Sequence, residues 1–338
     1  MRLKILNLNT EIILNACESF YDLLSKISSP ENESYVGVKY NGEIQYWYDE
    51  IPGDGEVRFI KDSDEEGFEI LRHSASHVMA GAIQNLYPGV KFAIGPAIAE
   101  GFYYDLDLTE KISENDFIKI EEEMQNIINK DHAIKRELWD KPRAIKYFSE
   151  RGEKYKLELI DGIADENVSI FSDGIFLDLC RGPHLPSTGK VKAFKLLSVA
   201  GAYWRGSEKN PMLTRVYGTA FPSKDELNNY IQRLAEAEKR DHRRLGKDLE
   251  LFDIFEQAGG GLVFWLPHGA LIRKIIEDFW REKHLENGYE IVYTPHIAKS
   301  DLWKTSGHLD FYRENMYCLL YTSPSPRDRT RSRMPSSA

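Results

Sequence analysis

Cysteine is scarce: only Cys17, Cys180 and Cys318 occur in 338 residues, and they lie far apart. That scarcity argues against a disulfide framework and points to a reducing compartment. Long apolar runs are missing, so no membrane span is expected. The opening Met1-Arg2-Leu3-Lys4-Ile5 lacks the apolar core of a secretory signal, and a cytoplasmic location is expected. Positive charge is in deficit, 44 Lys and Arg against 54 Asp and Glu, for a formal net charge of −10. The deficit argues against wholesale coating of nucleic acid but leaves room for a local basic stripe. What remains is a globular composition, 42% hydrophobic and 29% charged, in a chain long enough for about two or three domains.

Residues 1–62 read as a small separate module. Arg2–Leu8 alternates at period two, as a half-buried strand does. Ser19–Ile27 places Phe20, Leu23, Leu24 and Ile27 at helical spacing. Asn41-Gly42 separates Val36–Tyr40 from Glu43–Tyr48 and is a strong hairpin signal. A closing strand is expected at 54–60. Strand, helix and hairpin in so short a stretch predict a ubiquitin-like roll, suited to docking or regulation rather than catalysis.

An α+β domain is expected over 65–222. Glu69–Leu86 predicts a helix stopped by Tyr87-Pro88-Gly89, and Asp116–Lys130 an acidic amphipathic one. Lys141–Arg151 has Pro142 near a helix start. Phe92–Ala97, Gly101–Leu106, His132–Trp139, Lys195–Val199, Ala202–Arg205 and Thr214–Thr219 are strand candidates, and Tyr155–Leu159 opens a run of further short ones. Residues 223–247 predict one long linker helix. It carries Lys239, Arg240, Arg243, Arg244 and Lys247, either a solvated face or a phosphate contact. Residues 248–317 begin a third domain, with a strand at Val263–Leu266, a helix over Gly269–Asn287 and a strand at Tyr289–Tyr293. Residues 318–338 turn to Ser, Pro and Arg without apolar periodicity, and read as a disordered, non-native tail.

Two segments carry chemistry. His73 and His77 are four apart on the predicted helix and so share a face. Asp178-Leu179-Cys180-Arg181-Gly182-Pro183-His184 places a thiol and an imidazole around a Gly-Pro turn. Each pair alone is a weak signal; both in one domain predict a four-group cluster. His73, His77, Cys180 and His184 suit either a tetrahedral zinc or metal-free general acid–base work near neutral pH.

These motifs, with Gly101-Phe102-Tyr103-Tyr104-Asp105 and Gly152-Glu153-Lys154-Tyr155-Lys156, resemble the editing domain of the bacterial-type threonyl-tRNA synthetase family. Residues 1–62 resemble that family's ubiquitin-like TGS module. Asp241–Lys247, Phe264-Trp265-Leu266-Pro267 with Gly269, and Leu302-Trp303 with Ser306-Gly307-His308 resemble the entry to its class II catalytic domain, an antiparallel-sheet fold cut short here. The resemblance covers about 1–317 in the family's order. It implies hydrolysis of seryl-tRNA mischarged for threonine, by a pocket generally regarded as metal-free. His73 or His184 would activate water, with His77 as partner. Cys180 and Asp178 would line the pocket, Lys156, and Lys154 beside it, would meet the oxyanion or the terminal ribose, and Tyr104 would stack on the terminal base. Lys239, Arg240, Arg243, Arg244 and Lys247 would contact tRNA. The full-length family is a homodimer that uses ATP, magnesium and zinc; these are implied only for the missing catalytic portion. The histidine motifs also fit the alanyl family's editing relatives, which hold zinc at His73, His77, Cys180 and His184. A non-catalytic RNA-binding module is the other alternative.

Overall fold

The computed structural model describes residues 1–313 apart from 15–16, 28–33, 175, 260 and 297. The expected tail at 318–338 and Cys318 therefore lie outside the described residues. The chain divides into two compact units, Met1–Lys239 and Arg240–Ala338. It is a mixed α+β protein of several open sheets.

The first unit opens with β1 (Arg2–Ile5), β2 (Thr10–Ile13), α1 (Phe20–Lys26), β3 (Tyr35–Tyr40), β4 (Glu43–Gln45) and β5 (Gly55–Lys61). β1 pairs antiparallel with β2 and parallel with β5, so the five-stranded sheet runs β2-β1-β5-β3-β4. Asn41 and Gly42 both take positive φ (51° and 88°), the geometry a tight hairpin turn requires. Ser19 caps α1: its hydroxyl accepts from the Asp22 amide, and the Asp22 carboxylate accepts from the Ser19 amide. Phe20, Leu23 and Leu24 then face a core closed by Leu3, Ile5, Val57 and Phe59. The weakly patterned β2 was not expected from the sequence.

Next come α2 (Glu65–Leu86), β6 (Lys91–Phe92), β7 (Ala97–Ile98), β8 (Gly101–Asp107), α3 (Phe117–Lys130), β9 (Lys135–Asp140), α4 (Lys141–Glu150), α5 (Lys154–Asp161), β10 (Asn167–Ser172), β11 (Leu177–Leu179), β12 (Ala193–Tyr203), β13 (Met212–Phe221) and α6 (Lys224–Lys239). α2 is the axis of this region. Its Ala75, Val78, Met79, Ala82 and Ile83 are wholly buried, in one core with Ile120, Met124 and Ile127 of α3 and Phe102, Leu106 and Val216 of the sheet. That sheet runs β12-β13-β8-β6, with β7 on β8. A second sheet, β11-β10-β9, carries the other half of the site.

The second unit holds α7 (His242–Asp248), β14 (Phe252–Asp253), β15 (Phe264–Trp265), α8 (Pro267–Glu286), α9 (Ser300–Thr305) and α10 (His308–Phe311). Along α8, Ile275, Ile276, Phe279 and Trp280 are each more than half exposed.

Several expectations need correction. Lys195–Val199 and Ala202–Arg205 are not two strands: Ala193–Tyr203 is one, and Trp204–Gly206 turns as a short 3-10 helix. Phe92–Ala97 is strand only at its two ends. Tyr155–Leu159 is helical, inside α5: Tyr155 and Ile160 are buried while Glu158 carries its carboxylate outward, and the stretch is too short for periodicity to decide. The linker is not one helix; α6 ends at Lys239 and Asp241 caps α7, accepting from the Arg243 amide. Tyr289–Tyr293 pairs with no strand among the described residues and is exposed throughout.

Candidate functional site

α2 presents His73 and His77 one turn apart, ring centroids 5.2 Å from each other. The loop after β11 supplies Cys180 and His184. Gly182 lets that loop turn: its φ is +63°, and a Cβ there would sit 2.6 Å from the Phe171 ring. The His184 ring lies 4.3 Å from that of His73 and 4.2 Å from that of His77. One donor atom from each of His73, His77, Cys180 and His184 falls within 4.8 Å of the others, so the four could hold a metal ion.

Hydrogen bonds assign the protons. The single Ser74 hydroxyl proton is donated to the Ile70 carbonyl at 2.8 Å, while Ser74 Oγ accepts from the Leu185 amide at 2.9 Å. His184 Nδ1 lies 3.2 Å from the same oxygen and must therefore be the donor. His184 Nε2 is left as a lone pair, 3.3 Å from Cys180 Sγ. His73 is hydrogen-bonded to the Pro183 backbone and turns Nε2 to Cys180 Sγ at 3.1 Å. Cys180 Sγ in turn accepts from the Gly182 amide at 3.2 Å.

Burial decides the charge state. It pushes the His73 imidazole down to about 4, against the nearby Asp178 charge that raises it. It pushes His77 down to about 3 and His184 well below the usual range. The Cys180 thiol is pushed up to about 12 by burial and then by Asp178. At neutral pH the cluster is three neutral imidazoles and a protonated thiol.

Beneath it lies a buried ionic network. Asp178 is 3% exposed and Lys156 2%. The Lys156 ammonium sits against Asp178 Oδ1, out of line for a hydrogen bond, so Oδ1 has a counter-charge but no aligned donor. Tyr104 donates its hydroxyl to Oδ2 and accepts from Lys156 at 3.2 Å. Asp178 Oδ2 also faces His77 Nε2 at 3.6 Å. Burial alone would raise the Asp178 carboxyl; Lys156, His77 and the Tyr104 hydroxyl outweigh it, and the net shift is downward. Removing one partner of such a pair strands a buried charge, which makes the network costly to break.

Two sequence assignments change. Tyr104 is fully buried and its hydroxyl serves Asp178, so no base can stack on it in this conformation. Lys156 is enclosed with Asp178, at the wall of a cavity of about 360 Å³ that Lys91, Arg151 and Glu153 also line. Lys154 is exposed and pairs with Asp107 at 2.8 Å. Lys239, Arg240, Arg243, Arg244 and Lys247 are all exposed, but Lys239 has Glu236 at 3.6 Å, Arg243 has Asp241 at 2.8 Å, and Arg244 has Asp248 at 3.6 Å. Ser74 and Tyr46 were missed. A groove of about 990 Å³ runs beside Cys180, lined by Tyr46, Arg136, Arg181 and Arg205, and a cavity of about 280 Å³ reaches His73 between Ile70, Pro96 and Pro183.

Nitrogen and thiol donors in this number suit zinc. Tetrahedral bonds of the usual length would hold sulfur and nitrogen about 3.5 Å apart. The observed 3.1 and 3.3 Å are slightly tighter while the four donor atoms spread over as much as 4.8 Å, so the donor types fit zinc and the side chains would have to shift to close on it.

A family model described as the threonyl and alanyl tRNA synthetase second additional domain matches residues 168–217, the stretch carrying Asp178, Cys180 and His184. The Cys180 and His184 half of the cluster thus lies in a stretch similar to a synthetase second additional domain. The chain is 49% identical over 316 residues to the threonine–tRNA ligase of Sulfurihydrogenibium sp. (strain YO3AOP1), covering 92% of this chain and 49% of that protein. It is 57% identical over 252 residues to the threonine–tRNA ligase of Oleidesulfovibrio alaskensis, covering 75% and 39%. With that of Nitrosococcus oceani it shares 49% over 298 residues, covering 88% and 46%. The chain is a threonine–tRNA ligase homologue, a family member that spans about half the length of the curated relatives it matches, or less.

Proposed function

We propose that residues 65–222 form an editing domain that hydrolyses seryl-tRNA mischarged for threonine, in a protein whose complete form attaches threonine to its tRNA with ATP. The observation that carries this reading is the convergence of three neutral imidazoles and a thiol at the edge of a groove lined by Arg136, Arg181 and Arg205. A neutral imidazole accepts a proton; an imidazolium cannot. His73 or His184 offers its Nε2 lone pair to a water. The water oxygen bonds to the ester carbonyl carbon, its proton passes to the imidazole, and the carbon–oxygen bond to the terminal ribose breaks as that proton moves to the leaving oxygen. His77 partners the base. Asp178, held by Lys156 and Tyr104, stabilises positive charge as it forms on the imidazoles. Cys180 lines the pocket as a thiol, and its raised pKa disfavours it as a nucleophile.

The chemistry explains the need for a second site. Serine lacks one methyl of threonine, and a pocket built for the larger side chain rejects the smaller by only about 1–3 kcal/mol. The mixed sheet and the one helix among the described residues of 1–62 support the reading of a TGS module, and the likeness to a threonine–tRNA ligase over 316 residues supports reading 248–317 as the start of a class II domain. The partner is the tRNA 3′ end, and the cytoplasm its setting. Dimerisation, ATP, magnesium and the zinc of aminoacylation belong to the portion of the relatives that this chain does not cover.

The donor set favours one alternative, a zinc-dependent deacylase in which His73, His77, Cys180 and His184 would hold the metal and the metal would supply activation of a water taken as a further ligand. Incubation with seryl- and threonyl-tRNA tests the first reading: the seryl ester is expected to decay preferentially, and His73→Ala to slow that decay by about 10²-fold or more. Decay of the seryl ester at its uncatalysed rate would leave only RNA binding. Stoichiometric zinc in the purified protein, lost in His184→Ala, would replace the metal-free version with the zinc one.

A further inference from the structure

The N-terminal module meets the site through β4, where Ile44 lines the cavity at His73, and through the turn that follows it. After β4 the chain reads Tyr46-Trp47-Tyr48-Asp49, and successive side chains part ways. Trp47 is 3% exposed and packs in the module's own core. Tyr46 and Tyr48, on either side of it, reach into the neighbouring domain. Tyr46 donates its hydroxyl to the Arg181 carbonyl at 3.0 Å, and Tyr48 donates to the Pro186 carbonyl at 2.9 Å. Those two carbonyls bracket the loop that carries His184, and Cys180 lies one residue before the first.

The rest of the loop is held from its own domain: Leu185 by Ser74, and Pro186 also by the Ile134 amide at 3.0 Å. The Arg181 carbonyl takes its hydrogen bond from the module, through Tyr46. Arg136 of β9 fixes the tyrosine in turn. Its guanidinium lies 4.1 Å from the Tyr46 ring centre, donates to Asp49 at 2.8 Å and to Ser169 at 3.0 Å. Tyr46 also packs on Phe171, 5.7 Å between ring centres, and Phe171 lies 4.6 Å from the His184 ring. Tyr48 stays protonated, since burial pushes its hydroxyl up to about 12.

We infer that the N-terminal module acts on the reaction through this turn, with Tyr46 and Tyr48 as positioning residues that set the Cys180–Pro186 loop against the α2 histidines. The inference rests on the editing reading of the cluster. A hydroxyl removed from each tyrosine leaves both rings and their packing in place, so the loop loses the module's two hydrogen bonds, at Arg181 and at Pro186, without losing the interface. Proton transfer depends steeply on where Nε2 points, whereas tRNA binding along the groove does not.

The test compares the full chain with a Tyr46→Phe, Tyr48→Phe double variant. Tyr40→Phe is the control, because it removes a similar hydroxyl–carbonyl bond, 2.9 Å to Asp54, inside the module alone. Hydrolysis of seryl-tRNA is followed for kcat and KM, and alkylation of Cys180 by iodoacetamide is followed by peptide mass spectrometry. The double variant is expected to lose about tenfold in kcat with KM unchanged, and to alkylate several-fold faster at Cys180. Tyr40→Phe should match wild type in both. Wild-type kcat in the double variant, or a rise in KM alone, overturns the inference. Should wild type itself fail to hydrolyse the ester, the editing reading falls, and Cys180 alkylation decides alone: faster modification in the double variant sustains the coupling of module to loop, equal rates end it.

Discussion

Ser74 carries one proton, and its destination orders the cluster. Because that proton goes to the Ile70 carbonyl, His184 must donate from Nδ1 and keep Nε2 as a lone pair beside the Cys180 thiol. His73 and His77 were legible as a spacing on one helical face, and Cys180 and His184 as a pair bent by Gly182-Pro183. Ser74 was not legible, since its partner His184 lies 110 residues away in sequence. Nor were the roles of Tyr104 and Lys156, because periodicity says nothing of which buried polar groups meet. The depressed imidazoles have a consequence for stability. Unfolded histidine takes up its proton near pH 6.5, whereas folded His73 resists until about 4 and His77 until about 3. Between these limits the unfolded state binds more protons, so stability is full above pH 6.5 and is lost as pH falls toward 4. Thermal midpoints should drop through that window, each imidazole contributing up to about 1.4 kcal/mol per pH unit. His77→Gln should make the decline shallower; an unchanged slope would show that His77 does not resist protonation.

At the scale of elements, strong local chemistry was readable and weak chemistry was not. The Asn41-Gly42 hairpin, the apolar spacing of α1 and the long apolar face of α2 each carry a signal within a few residues. β2 and α5 are short and take their state from neighbours remote in sequence. The α6–α7 break turns on Asp241, whose side chain prefers capping the Arg243 amide to continuing a helix. That break reshapes the basic stripe. With Asp241, Asp248 and Glu236 set against Arg243, Arg244 and Lys239, the local field is weaker than the count of cations implies. Replacing Lys239, Arg240, Arg243, Arg244 and Lys247 by Ala should still weaken tRNA binding and flatten the plot of log affinity against log salt, by about 0.7–0.9 for each phosphate no longer neutralised. Binding measured from low to moderate salt checks this, and an unaltered slope would make the stripe a solvated face.

For the whole molecule, the boundary that matters is not the one composition marks. The sequence separates residues 1–62 from the domain beginning near residue 65, yet Val36 and Ile60 of the N-terminal sheet share a core with Ile70, Leu71 and Ala75 of α2. The clean division falls at Lys239 and Arg240. Limited trypsin treatment should therefore cut first around Arg240–Arg244 and leave a resistant piece ending near residue 239. Early release of a fragment near residue 62 would contradict a shared core. Above that boundary, the apolar row of α8 bears on heat capacity. Ile275, Ile276, Phe279 and Trp280 already meet water in the folded state, so unfolding hydrates them little further. Apolar hydration is the main source of the heat-capacity increase on unfolding and of much of the denaturant dependence. Per residue, the second unit should thus have a flatter stability curve and a lower sensitivity to urea than the first.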